Sequence, residues 1–109
     1  MSESGVPARG VTPRVGLIRL SELDNVLISA ADLEPGVHAT ADGETVEVVD
    51  RVALGHKVAA RAIADGERIV RGGMPIGSAT STIPVGRWVH THNLRSDYLP
   101  TFAQRGGRT

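Results

Sequence analysis

Short apolar runs separated by turn residues dominate this chain. Val26-Leu27-Ile28, Thr45-Val46-Glu47-Val48-Val49, Lys57-Val58-Ala59-Ala60, Arg68-Ile69-Val70 and Arg87-Trp88-Val89-His90-Thr91-His92 have the length and β-branched content of strands, and the second alternates most clearly. Thirteen glycines and six prolines punctuate these runs. The intervals left between them are too short for helices of the usual ~11–12 residues. The pattern predicts a mainly β fold.

An apolar-x-x-Gly-x-x-apolar unit recurs: Leu33 to Ala39 around Gly36, Val52 to Val58 around Gly55, Ile63 to Ile69 around Gly66, and Ile83 to Val89 around Gly86. Glycine accepts the positive φ that a tight turn needs, and the flanking apolar residues can pin each turn to a core. The irregular spacing argues against a solenoid. Pro75 lies between Gly73 and Gly77, so that stretch is expected to be irregular or edge-like rather than a central strand.

The ends differ from the middle. Residues 1–20 mix Ser, Gly, Pro and Arg, with an apolar patch only at 15–20, and read as a mostly flexible tail. The domain proper is expected at 21–94, followed by a C-terminal arm at 95–109 in which Tyr98, Leu99 and Phe102 could dock on a neighbour. With 109 residues there is material for one core. That core must be built from small aliphatic side chains, because Trp, Tyr and Phe each occur once.

Charge and cysteine content narrow the chemistry. Twelve basic and twelve acidic residues cancel and form no block, which disfavours a phosphate-backbone binder; nucleic acid is not an expected partner. The absence of cysteine removes disulfides, thiolate catalysis and Cys-based metal sites. No run approaches the ~20 apolar residues of a membrane span, so no membrane partner is expected and the cytoplasm is the expected compartment.

Two short motifs carry candidate chemistry. In His90-Thr91-His92-Asn93, residues two apart share a face if the strand is extended, so His90 and His92 could offer two nitrogens to one divalent metal. In Gly55-His56-Lys57, the glycine leaves room for a ligand, His56 can move protons near neutral pH, and Lys57 can bind a carboxylate. On a strand starting here His56 and Lys57 point to opposite faces, and both meet one ligand only if turn geometry persists through His56. Gly72-Gly73-Met74-Pro75-Ile76-Gly77 lacks the lysine and helix of a nucleotide loop and reads as a structural turn. Asp24-Asn25 reads as an Asx-type turn, and His38 as a surface or packing residue.

Taken in order, Asp24-Asn25-Val26, Leu33-x-x-Gly36, Gly55-His56-Lys57-Val58-Ala59, Ile63-Ala64-Asp65-Gly66-Glu67, Pro75-Ile76-Gly77-x-Ala79-Thr80 and Gly86-x-Trp88-Val89-His90-Thr91-His92-Asn93-Leu94 resemble the SAF domain of the altronate dehydratase family. That resemblance spans roughly 24–94 and implies a single β-clip domain of short strands. It also implies β-elimination from a sugar acid or hydroxy acid, with water leaving or, in the sulfolactate case, sulfite. The cofactor implied is a divalent metal, Fe(II) by resemblance. His56 is then the candidate catalytic residue, Lys57 and Asn93 the candidate substrate contacts, and His90 and His92 the candidate metal ligands. The implied partner is a large catalytic subunit on another polypeptide, and a homo-oligomer is compatible with the sequence. A noncatalytic SAF-type ligand-binding module is the competing reading.

Overall fold

Alternate residues of two adjacent strands feed two different cores, and this divides the molecule. The computed structural model describes residues 14–96, which form nine strands and no helix. They are β1 (Val15–Ile18), β2 (Val26–Ser29), β3 (Gly36–Thr40), β4 (Thr45–Val48), β5 (Lys57–Ala59), β6 (Arg68–Arg71), β7 (Met74–Ala79), β8 (Trp88–Val89) and β9 (Leu94–Ser96). A six-stranded sheet runs β4-β3-β1-β2-β5-β8, and a three-stranded sheet runs β6-β7-β9. All pairings are antiparallel except β1 with β3.

Strands β2 and β5 form the wall between the cores. Val26 and Ala59 point into one cluster with Ile63, Ile69, Ala79, Ile83 and Val89. Their neighbours Leu27 and Val58 point into the other, with Leu17, Leu33, Val48 and Val52. Period-two alternation on a sheet buried on both faces explains why these strands read as unbroken apolar runs. The recurrent turn units anchor both clusters. Leu33 bridges Val52, and Ile63 bridges Ile83, and all four side chains are buried.

Both ends of the domain lie further out than expected. Residues 15–18 are not tail: β1 sits inside the six-stranded sheet, and Leu17 is fully buried. Four residues with a glycine look weak alone, but they gain two neighbours, β2 and β3. At the other end Leu94-Arg95-Ser96 pairs with β7, so the domain extends past 94. Residues 1–13 and 97–109, with the proposed docking groups Tyr98, Leu99 and Phe102, lie outside the described residues.

Pro75 also departs from expectation, because strand β7 is the centre of the three-stranded sheet. Within the described residues β9 pairs with Gly77, Ser78 and Ala79, and Pro75 pairs with Val70 of β6. The register against β6 also shifts there, between Ile69 and Val70. Pro75 sits at this irregularity, the kind of place in a sheet where a residue without an N–H is accommodated. Gly77 is required at the crossing: a Cβ there would collide with the Arg95 carbonyl.

Asp24 and Asn25 join the two sheets. The buried Asp24 carboxylate accepts the backbone N–H groups of Ser21 (3.1 Å), Gly72 (2.8 Å) and Gly73 (2.8 Å). Asn25 donates to the Arg68 carbonyl (2.8 Å) and accepts from Val70 N–H (2.9 Å). The local turn expected of this pair is present, but two of the three Asp24 acceptor contacts reach the β6–β7 hairpin. Asp24→Ala should therefore cost about 3 kcal/mol in urea unfolding, since it strands buried donors that water regains only in part. A loss under about 0.5 kcal/mol would show that the clasp is dispensable.

Glu67 closes the turn around Gly66. It accepts the Ala64 N–H (2.8 Å) and pairs with Arg61. The Arg61 hydrogen bond, then the Ala64 N–H, hold its carboxyl down to about 2 from 4.5. Because the folded value is depressed, this stabilisation is complete above pH 4.5 and is lost as pH falls toward about 2. Glu67→Gln should flatten that stretch of the stability–pH curve in acid titration followed by circular dichroism.

Candidate functional site

His56, Trp88, His90 and His92 gather at one end of the β5–β8 pair. Each is delivered by a different local device. His56 precedes β5 in a turn closed by His56 N–H to the Ala53 carbonyl (3.0 Å), with Gly55 at φ +83°. The buried Ser29 hydroxyl accepts a second bond from His56 N–H (3.1 Å) and donates to the carbonyl of Ala53. Turn geometry thus persists through His56, and β5 starts only at Lys57.

Trp88 is set by Asp50, whose carboxylate accepts Trp88 N–H (2.9 Å) and pairs with Arg87 (3.2 Å). The strand expected over 87–92 ends at Val89. The buried Asn93 is the reason. Its Oδ1 accepts His90 N–H (2.9 Å), its Nδ2 donates to the Trp88 carbonyl (2.9 Å), and its own N–H donates to the His90 carbonyl (3.0 Å). His90-Thr91-His92 is therefore a turn, and the same-face argument for an extended strand does not apply. What the two imidazoles share is a ring: His90 and His92 each lie 5.0 Å from the Trp88 indole.

The His56 and Trp88 rings lie side by side. Their planes are 25° apart with centroids 5.8 Å apart, and Trp88 Nε1–H donates to His56 Nδ1 at 3.1 Å. His90 covers both, 5.0 Å from each centroid and within 21° of the His56 plane and 11° of the Trp88 plane. Burial, then the nearby His56, Lys57 and His92, push the His90 imidazole below its ordinary value. Lys57 is half-buried on β5, and burial followed by the charge of Arg71 pushes its ammonium down. Basic groups thus converge here, which favours an anionic ligand.

Beside this cluster, a groove of about 370 Å³ is lined by Thr82, Arg87, His92 and Asn93 among others. His38 is elsewhere: it lies on β3 and bonds the Glu34 carbonyl through Nε2 (2.7 Å). Among the described residues, no group of three or more His, Cys, Asp or Glu side chains is arranged to hold a metal ion. His90 and His92 could supply at most part of a coordination sphere, and a metal held there would need further donors from outside the described residues. Sequence reasoning missed Ser29 and Asp50, which position the cluster from the end of β2 and from the loop after β4. It noted Trp88 without its role, although a lone tryptophan between candidate histidines carries the signal of a single indole donor.

Residues 15–97 match the family described as the altronate/galactarate dehydratase SAF domain. The chain belongs to this family. Its SAF domain is similar to altronate dehydratase of Escherichia coli (strain K12), with 41% identity over 80 residues covering 73% of this chain and 16% of that enzyme. It is 36% identical over 80 residues to altronate dehydratase of Bacillus subtilis (strain 168), again covering 73% of this chain and 16% of the relative. A further relative is the (2R)-sulfolactate sulfo-lyase subunit alpha of Chromohalobacter salexigens, 36% identical over 50 residues, which are 46% of this chain and 53% of that subunit. The chain thus spans about a sixth of the altronate dehydratases it matches. Among the described residues no helix is long and apolar enough to cross a membrane.

Proposed function

We propose that this chain supplies a histidine-bearing wall to a cytoplasmic sugar-acid hydro-lyase of the altronate and galactarate dehydratase type, assembled with a separate large catalytic subunit. The observation that carries this reading is the convergence of His56, His90 and His92 on Trp88 in a SAF domain whose relatives are dehydratases. In the elimination, a base removes the proton from the carbon next to the carboxylate. The electron pair left behind forms the C=C bond of an enol, and the neighbouring C–O bond breaks; the departing hydroxide takes a proton and leaves as water.

His56 is the proposed catalytic residue, hydrogen-bonding the departing oxygen, and the base and the proton donor belong to the large subunit. Lys57 offers its ammonium to a substrate carboxylate. Asn93 holds the His90 turn with most of its amide, and contacts substrate only through its second amide hydrogen. A divalent ion, Fe(II) on the family pattern, stabilises charge on the developing enolate when bound, and His90 and His92 are this chain's proposed ligands.

Capture of the tagged chain from its native cells tests the reading. A stoichiometric dehydratase-like large subunit should remain bound after gentle washing, and the pair should dehydrate altronate or galactarate while the chain alone does not. A clean monomer with no such partner would shift the assignment to a stand-alone binding module. The similarity to a sulfolactate sulfo-lyase alpha subunit favours a second reading, small subunit of a sulfo-lyase. Sulfite release from sulfolactate by the same preparation would decide for it.

A further inference from the structure

We infer that Trp88 is a positioning residue whose indole N–H locks His56 as the Nε2–H tautomer, making His56 a hydrogen-bond donor to an anionic oxygen and excluding it from metal ligation. The inference deepens the proposed lyase role and rests on it for its catalytic consequence. Its structural part stands on geometry. Indole Nε1 is a donor only, so the His56 nitrogen that receives it at 3.1 Å must present a lone pair. In a neutral imidazole with Nδ1 as acceptor, the proton is on Nε2.

Metal ligation through Nε2 needs that nitrogen bare and Nδ1 protonated, which would set two N–H groups against each other at the Trp88 contact. Ligation through Nδ1 would displace the indole. Both routes conflict with the observed pair. Three further contacts hold it in place. Asp50 fixes the Trp88 backbone (2.9 Å), Ser29 fixes the His56 backbone (3.1 Å), and the His90 ring covers both rings at 5.0 Å. Trp88 lies on β8 and His56 immediately precedes β5, and these strands pair through Lys57 opposite Val89 and Val58 opposite Trp88, so the sheet brings the two rings together. This arrangement suits a neutral imidazole that gives a hydrogen bond to a departing or carboxylate oxygen and keeps its proton.

The chain holds a single tryptophan, so residue-specific replacement by benzothienylalanine alters position 88 alone. That isostere keeps the ring area and removes the N–H. In the ¹⁵N-labelled 109-residue chain, His56 Nδ1 should show the shift of an unprotonated nitrogen and a ¹⁵N–¹⁵N coupling across the bond to Trp88 Nε1. With benzothienylalanine the coupling should vanish and the Nδ1 shift should move toward a mixture of tautomers. A protonated Nδ1 in the native chain, or an unchanged tautomer in the substituted one, overturns the inference whatever any activity assay gives. In the assembled lyase, the same substitution and Trp88→Phe should lower kcat on the order of tenfold with KM little changed, as expected for a misdirected hydrogen-bond donor. An unchanged kcat with the NMR result intact removes the catalytic role of the lock. A lyase that never assembles counts against the proposed function, while the tautomer is still decided by the NMR spectra of the chain itself.

Discussion

His56→Ala in the assembled lyase should cut kcat by about two to three powers of ten, the usual weight of a positioned hydrogen-bond donor to developing charge. His90→Ala and His92→Ala should lose comparable activity together with bound metal, because each removes one proposed imidazole ligand from a site that draws its other donors from outside the described residues. None of the three should unfold the domain. His92 is exposed, and His56 and His90 are only half-buried and outside both apolar clusters. The measurements are steady-state kinetics on altronate and galactarate, metal content, and co-elution of the two subunits. Full activity with intact assembly in all three variants would sink the assignment of this surface to the active site.

Gly86→Ala should be the most damaging single change to the fold, at about 3 kcal/mol or more. Gly86 sits at φ +86°, and a Cβ there would run into the Glu47 carbonyl. Its N–H donates to Ala59 (2.9 Å) and its carbonyl accepts Val49 N–H (3.0 Å), so the backbone cannot move aside without breaking ties to two strands' ends. Gly66→Ala is the matched control, because φ is +84° there but nothing lies within 4 Å of the added Cβ. It should lose only the conformational part, about 1–2 kcal/mol. Urea midpoints for the two variants give the difference, and equal losses would remove close approach as the cause. Since Gly86 leads directly into Arg87-Trp88, residual folded Gly86→Ala should also show a displaced indole by fluorescence.

The strands at 26–29, 45–48, 57–59 and 68–71 were legible because each is a compact apolar or alternating run bounded by turn residues. β1 was not, since its strength lies in pairing with β2 and β3 rather than in composition. β7 was hidden by Pro75, which sits where the register against β6 shifts. Of the candidate site, the histidine motifs were visible as residue types. The convergence of His90 and His92, however, comes from a turn held by Asn93 and not from the extended strand that their spacing suggests.

The mainly β class and the recurrent glycine turns follow from local order, because turn residues and apolar periods act over a few positions and can be read directly along the chain, while the likeness to the SAF-domain family rests on the order of its motifs. The pairing of Trp88 with His56 across 32 positions, the Asp50 and Ser29 props and the Asp24 clasp were decided only by the tertiary structure. Each depends on two segments brought together by a shared core, and no spacing along the chain encodes which nitrogen of His56 will meet the indole.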